Sequence, residues 1–314
     1  MPSGNEQGPS LADRQAAPSV TYRQGVLLVL AATVFISTMG LGIRLMEAAS
    51  FWQILFYRSV ALSALLLIAT ARESGGRPIA AVAAAGWSGV IGGLALVVAF
   101  AGGIAAIQLT SVANAMLLFA TAPFMAALIG FAVLRETVRR ATMIAMAVSL
   151  VGVAIMVAGG IAGGHWLGNV AALLQALGFA VFATTLRWRK SGDTLSAVLM
   201  GAIFSIIVAG MMCLVTGQSF VVSPRDLGLS LALGFFQIGI GLLLFTRGSK
   251  AVPAGELALL AMAEVILAPI WVWVLLGETA SLSTVAGGAI LLFALAGNAI
   301  SGIREKGRPV TSHR

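Results

Sequence analysis

The chain has 314 residues, of which 59% are hydrophobic and only 10% are charged, and its formal net charge at pH 7 is +8. Soluble globular proteins are roughly 45–50% apolar and about 25% charged, so this composition is not that of a soluble protein. Together with a mean hydropathy of +1.01, it indicates an integral membrane protein. The single cysteine, Cys213, excludes a disulfide framework and a thiolate metal cluster.

Residues 1–24 are polar and rich in Pro, Gly, Ser and Gln, which predicts a disordered tail rather than a signal peptide. Ten apolar runs follow, each close to the ~20 residues that span the hydrocarbon core as a helix. The predicted spans, numbered 1 to 10, cover 25–46, 52–71, 84–107, 111–134, 141–160, 166–186, 194–216, 227–246, 254–276 and 284–302. A second short tail, 303–314, ends the chain.

The distribution of Lys and Arg predicts the orientation in the membrane. Most of the 19 basic residues lie in the two tails or in the loops that share their side of the membrane. Cytoplasmic loops retain positive charge, so both termini are predicted to be cytoplasmic. Because the basic residues are scattered over alternate loops and form no patch, no nucleic-acid partner is expected.

The two halves of the chain repeat each other. Residues 113–137 align without a gap on residues 255–279, at an offset of 142, and Glu136-Thr137 then falls on Glu278-Thr279. The same offset carries spans 1–5 onto spans 6–10, and an odd number of spans inverts the second copy in the membrane. We therefore predict an all-α membrane protein of two inverted five-helix repeats, 25–160 and 166–302, a design used by transporters. Glu136 and Glu278 are expected to cap helices or to pair.

Four short motifs carry a resemblance to a known family: the "LxET" ends of spans 4 and 9, "TAP" at 121–123, "AEV" at 263–265, and "FYRS" in span 2. With them the sequence resembles the EamA-type ten-helix permeases of the drug/metabolite transporter superfamily. Within that branch it is most similar to bacterial inner-membrane exporters of amino acids and their analogues. The "EP" pair usual in the second repeat is separated here into Glu264 and Pro269, and Pro123 has no acid before it.

Glu264 is an isolated carboxyl group within an otherwise apolar run. A central acidic residue costs roughly 2.5 kcal/mol or more on membrane-insertion scales. Such a group either takes up a proton or faces water and polar groups in a cavity. In a transporter it can exchange a proton for substrate or hold an ammonium group. The alternative is a protonated, hydrogen-bonded residue that braces span 9.

Other polar and aromatic residues within the spans are candidates for lining a central cavity formed by spans 1, 3, 4, 6, 8 and 9. They are Thr33, Ser37, Asn114, Thr121, Gln175 and Gln237, with the aromatic residues Phe100, Phe119, Trp271 and Trp273. The alternative is that the hydroxyls and amides tie helices together, at about 0.6 kcal/mol per bond. Pro123 and Pro269 are expected inside helices, where each can act as a hinge or impose a static bend.

Arg58 lies seven residues into span 2, and we expect it to serve the structure by snorkelling to the interface. The alternative is that it pairs with an acid or with a substrate carboxylate. Few other cations lie inside the spans, which argues against polyanionic substrates such as sugar phosphates.

No catalytic set is evident. The histidines, His165 and His313, lie outside the spans, no aspartate lies within one, and Gly-Lys-Ser/Thr does not occur. Intramembrane proteases and nucleotide-driven pumps need such groups, so neither an enzyme nor a cofactor is expected. The sequence favours alternating-access export of amino acids or related amphipathic metabolites, with protons as a candidate coupling ion. Multidrug or other metabolite export is the second candidate, and a scramblase-like or structural protein is the non-transport alternative.

The predicted topology can be tested by labelling single cysteines at Ser74, Ser191 and Ser219 in a chain whose Cys213 has been replaced. A membrane-impermeant thiol reagent added to intact cells should label position 219 alone, because the other two lie in predicted cytoplasmic loops. Labelling of position 74 or 191 without labelling of 219 would reverse the predicted topology.

Overall fold

A computed structural model gives the architecture and describes residues 20–189 and 194–306. Within these two ranges, ten helices are long and apolar enough to cross a membrane, and they confirm the ten predicted spans. Most of both predicted tails and position 191 lie outside the described residues. Helix 1 begins, and helix 10 ends, at what is here called the terminal face of the bundle; the opposite face is called the distal face.

Two of the first five helices, helices 1 and 4, are interrupted. Helices 1 to 5 are Tyr22–Ser37 with Met39–Arg44, Phe51–Glu73, Gly86–Leu109, Val112–Phe119 with Ala122–Leu134, and Arg140–Ala162. A short helix, Pro78–Ala84, precedes helix 3.

The second five helices include one with a π-helical segment. Helices 6 to 10 are Trp166–Arg189, Thr194–Val215, Pro224–Ala232 with the π-helical Leu233–Ile240 and Gly241–Gly248, Ala254–Leu276, and Leu282–Lys306.

The two prolines occupy different kinds of position. Pro269 lies in the interior of helix 9, as expected. Pro123 does not lie in a helix interior: helix 4 is interrupted at Ala120–Thr121, and Pro123 stands in the first turn of its second segment. The expectation for Pro123 is corrected on this point, because a first-turn proline loses no intrahelical hydrogen bond and begins a helix without kinking it.

Helices 4 and 9 end in the same way. Each closes on a residue in the left-handed region, Arg135 with φ 56° in helix 4 and Gly277 with φ 70° in helix 9. The next residue is a glutamate whose backbone N–H donates to a carbonyl six residues back, Glu136 to Gly130 and Glu278 to Val272, both at 3.2 Å. The offset of 142 residues thus relates backbone geometry as well as sequence.

Helix packing follows the repeat. Helices 3 and 4 both pack on helix 6. Their counterparts in the second repeat, helices 8 and 9, both pack on helix 1, the counterpart of helix 6. Helix 2 packs on its counterpart in the second repeat, helix 7, and helix 5 packs on its counterpart, helix 10. Each repeat therefore supplies helices to both halves of the bundle.

Glycines bring the backbones of paired helices into contact. A Cβ on Gly178 of helix 6 would lie 2.6 Å from the Ala95 carbonyl oxygen of helix 3, and one on Gly152 of helix 5 would lie 2.4 Å from the Gly287 carbonyl oxygen of helix 10. Without water to drive association, membrane helices gain stability from such close contact. The abundance of glycine is therefore part of the packing design.

Alanine substitution distinguishes these contacts from glycines without a packing role. Gly152→Ala places its methyl group against backbone that cannot move aside, whereas a Cβ on Gly297 of helix 10 would meet nothing within 4 Å. We expect Gly152→Ala to destabilise the protein by about 1–3 kcal/mol through overpacking. Gly297→Ala should be neutral or stabilising by up to about 1 kcal/mol, because alanine favours the helix. Thermal unfolding in detergent measures both, and equal melting temperatures would contradict the packing analysis.

Candidate functional site

Helix 9 presents the Glu264 face to helix 1. Ser37 accepts a hydrogen bond from the Trp271 indole N–H at 2.9 Å. Thr33 donates to the Val29 carbonyl at 2.9 Å and lies 3.5 Å from the Leu260 carbonyl of helix 9. Leu260, Glu264 and Trp271 are spaced i, i+4 and i+11, so they share one helix face. Glu264 therefore lies between two direct contacts of helix 9 with helix 1.

Gln237 joins helix 8 to the same part of helix 1. Its side-chain N–H donates to the Ile36 carbonyl at 3.0 Å, and only 3% of the residue is exposed. Its Oε1 atom is buried and accepts no hydrogen bond from any described residue. π-helical segments recur at functional sites, and Gln237 lies within one. Thr33, Ser37, Gln237, Glu264 and Trp271 are referred to below as the 1-8-9 junction.

The carboxyl group of Glu264 is half-buried. Across the described parts of the chain, the hydrogen bonds and ion pairs include none to its side chain. The hydrogen-bonded role in bracing helix 9 is therefore not seen within the described ranges.

Helices 3, 4 and 6 form the counterpart of the 1-8-9 junction in the other half of the bundle. Gln175 of helix 6 lies against Gly103 of helix 3, where a Cβ would approach its side-chain carbonyl carbon to 2.9 Å. The Oε1 atom of Gln175 is buried and, in the described chain, without a hydrogen-bond donor. The rings of Phe119 and Phe179 meet edge to face, with centroids 5.6 Å apart. A free amide oxygen and an aromatic wall thus occur here too.

Arg58 of helix 2 lies beside Phe100 of helix 3. The guanidinium carbon is 5.0 Å from the centroid of the Phe100 ring, and the residue is 3% exposed. Phe100 packs against both apolar clusters of the bundle, one containing Ile104 and the other containing Leu62. Arg58 therefore lies where the two clusters meet, and among the described residues it forms no ion pair with Glu264.

The polar side chains of Asn114 and Thr121 are hydrogen-bonded to other residues of the protein. The Asn114 side-chain amide donates to Thr110 at 3.2 Å and to Asn169 of helix 6, and its oxygen accepts from Thr284 of helix 10 at 3.4 Å. Thr121, at the break in helix 4, donates to the Leu118 carbonyl at 2.7 Å. Asn169 and Thr284 were not anticipated from sequence, because they lie 55 and 170 residues from Asn114.

Trp273 does not join the central residues. It is 61% exposed and lines a surface groove of about 270 Å³ together with Pro269 and Val285. Of the four aromatic candidates, Trp271, Phe100 and Phe119 remain near the two junctions.

An arginine–glutamate pair closes each face of the bundle. At the distal face, Arg44 of helix 1 binds Glu278 at 2.7 Å, and the same carboxylate accepts the Val112 backbone N–H at the start of helix 4 at 2.7 Å. At the terminal face, Arg187 of helix 6 binds Glu136 at 2.9 Å. The expectation that both glutamates cap or pair is confirmed.

The two pairs differ in exposure. The side chains of Arg44 and Glu278 are 27% and 21% exposed, whereas those of Arg187 and Glu136 are both 44% exposed. Arg44 also donates to the Thr110 carbonyl at 2.6 Å. The distal pair is thus the more extensively bonded.

Ten membrane helices in two inverted repeats, with unsatisfied polar groups where the repeats meet, define a membrane transporter of the inverted-repeat class. Comparison with known proteins is more specific. The sequence matches the EamA-like transporter family over residues 23–158 and again over 166–300, and the chain belongs to that family.

One solved structure, described only as the crystal structure of a protein, covers 90% of this chain and 100% of its own, with 17% sequence identity and a TM-score of 0.62. At this identity the likeness shows a shared fold. No curated protein matches the sequence.

Proposed function

We propose that the protein exports amino acids, or related small amphipathic metabolites, from the cytoplasm across the bacterial inner membrane, with both termini cytoplasmic. The observation that carries this proposal is the carboxyl group of Glu264, half-buried in the middle of helix 9 and without a bonding partner in the described chain. An ionisable residue at such depth is costly and is retained where it serves transport.

The chemistry of the two junctions supports a solute with an ammonium group and an apolar side chain. The free Oε1 atoms of Gln175 and Gln237 are acceptors, and the Glu264 carboxylate is an acceptor when ionised. Phe119 and Trp271 supply aromatic walls. Polar groups fix orientation and apolar walls supply contact area, as in small-molecule sites generally.

The two arginine–glutamate pairs support alternating access. A path through the bundle must open at one face while the other stays closed. The distal pair is placed to close its face, because Arg44 and Glu278 also bond Thr110 and Val112 in the other half of the bundle. The terminal pair, Arg187–Glu136, joins helix 6 to helix 4 within one half. An exposed ion pair contributes only about 0–1 kcal/mol. The Arg187–Glu136 pair, with both side chains 44% exposed, can therefore break and re-form at little energetic cost, whereas the distal pair holds its face more firmly.

Glu264 also offers a coupling mechanism. A carboxyl group that holds an ammonium group when ionised must release it when protonated, since the attraction is then lost. Binding of solute and of a proton would thus be mutually exclusive, and each turnover would exchange one for the other.

Glu264→Gln tests the proposal, because it keeps the shape and hydrogen bonding of the side chain but cannot ionise. The control is Glu256→Gln near the start of the same helix, which removes the charge of a carboxylate that accepts an exposed hydrogen bond from Tyr22. In cells expressing each variant, export is measured over a panel of amino acids and cationic dyes at several pH values. We expect Glu264→Gln to fold in normal amount, with export reduced about tenfold or its pH dependence flattened, and Glu256→Gln to behave as wild type.

Wild-type export and pH profile in Glu264→Gln would assign Glu264 to helix packing and remove the coupling mechanism. Export of dyes without export of any amino acid would replace the proposed substrate class with multidrug export.

A further inference from the structure

The guanidinium of Arg58 is buried without the partners such a group requires. The residue is 3% exposed, and its Nε and Nη1 atoms have no hydrogen-bond acceptor among the described residues. Arginine carries five N–H donors in a planar fork and stays charged under all physiological conditions. Buried polar groups are nearly always hydrogen-bonded, so this side chain needs another explanation.

Neither structural role expected from the sequence accounts for it. Snorkelling would place the charged end in the interfacial water, but the group stays buried beside Phe100. Pairing with an acid is also not observed: within the described ranges no ion pair includes Arg58, whereas Arg44, Arg187 and Arg225 each bind a glutamate. The snorkelling expectation for Arg58 is corrected accordingly.

The repeat shows that the fold itself does not require a cation here. At the offset of 142, the counterpart of Arg58 in helix 7 is Met200, which is buried in the same helix 2–helix 7 arrangement. By contrast, the glutamates that close the two faces occur in both repeats. Arg58 appears once, as does Glu264, whose counterpart is Ala122.

We propose that Arg58 binds the carboxylate of the transported solute. This inference rests on the proposed function and narrows it, because a zwitterion or other carboxylate then becomes the substrate and a simple amine does not. A guanidinium fork matches a carboxylate with two parallel N–H···O bonds, the strongest polar contact available to a neutral amino acid. The face of the Phe100 ring holds the guanidinium while no solute is bound.

The depths of the polar groups give the bound solute a direction. At ~1.5 Å per residue, Arg58 lies about 10 Å from the distal end of its helix, Gln175 about 14 Å and Glu264 about 18 Å. A solute whose carboxylate binds Arg58 and whose ammonium group points away from the distal face would therefore reach the depth of the free Gln175 oxygen first and that of Glu264 next. The acceptors lie where the positive end would be, and the donors where the negative end would be.

The test measures ligand binding by thermal stabilisation of purified protein, which does not depend on transport. The first probes are the twenty protein amino acids and simple monocarboxylates from acetate to 3-phenylpropionate. For the tightest binder, the matched amide, amine and deaminated acid are then compared. We expect the acids to bind wild-type protein at least about tenfold more tightly than the amide and the amine, which lack the carboxylate.

Variants assign that preference to Arg58. Arg58→Gln should weaken carboxylate binding about 10- to 100-fold and leave amide and amine binding unchanged, with Arg58→Lys intermediate because it keeps the charge but not the fork. Arg225→Gln, which removes an exposed arginine of the distal face, should bind as wild type. Should Arg58→Gln fail to fold, the acid-to-amide ratio in wild type and its change in Arg58→Lys still decide the question.

The outcomes separate this inference from the proposed function. An amino acid that binds wild type and Arg58→Gln alike would overturn the role of Arg58 and leave amino-acid transport standing. Binding of 3-phenylpropionate that depends on Arg58, with no binding of any amino acid, would support Arg58 as a carboxylate site and contradict amino-acid transport. If no carboxylate binds wild-type protein, or if amides bind as tightly as acids, the assignment of Arg58 is wrong.

Discussion

The glutamate that follows helix 4, and its counterpart after helix 9, set the arrangement on which the rest of the bundle depends. In both places a left-handed residue ends the helix, the glutamate N–H closes back on the last turn, and its carboxylate reaches an arginine of helix 6 or helix 1. The contact fixes helix 9 on helix 1 at the distal face, and helix 4 on helix 6 at the terminal face. Between those fixed ends lie the two junctions that hold the free polar groups.

Comparison of the two repeats separates what the fold needs from what the solute needs. The helix pairings, the left-handed helix ends and the arginine–glutamate pairs occur in both repeats. Arg58 and Glu264 occur in one repeat each, opposite Met200 and Ala122. An inverted repeat can duplicate a scaffold, but a solute with one carboxylate and one ammonium group is not symmetric. Arg58 and Glu264, which differ in charge from their counterparts and lack a protein partner among the described residues, are therefore the residues expected to recognise the two ends of such a solute.

Much of the fold could be predicted because the bilayer imposes it. A membrane helix must form its own backbone hydrogen bonds and needs about 20 apolar residues to cross the hydrocarbon. Each span can therefore be recognised from sequence without knowledge of its neighbours. Glu264 could be found for the same reason, as a charge where apolar residues are required. The arginines that bind Glu136 and Glu278 also left a signal, since Arg44 and Arg187 end helices within one residue of the repeat offset.

The remaining features depend on tertiary contacts that no local pattern encodes. The break in helix 4 and the π-helical segment of helix 8 arise within continuous apolar sequence. Whether a polar residue is engaged or free depends on its neighbours: Asn114 is bonded by residues far along the chain, whereas one oxygen of Gln175 is not. Arg58 looked like an interfacial residue because its depth could be counted from sequence but its surroundings could not.

Alternating access requires a path that opens in turn at the two faces of the bundle, and cross-linking helices at those faces tests it most directly. In a chain lacking Cys213, two cysteines are introduced at a time, either at Arg44 and Glu278 or at Arg187 and Glu136. A cleavable thiol cross-linker of matching span then joins each pair in proteoliposomes that transport an amino acid identified in the export assay. Cross-linking at either face alone should reduce transport at least tenfold, and cleavage of the linker should restore it. Transport that continues unchanged with either face cross-linked would contradict alternating access through this bundle.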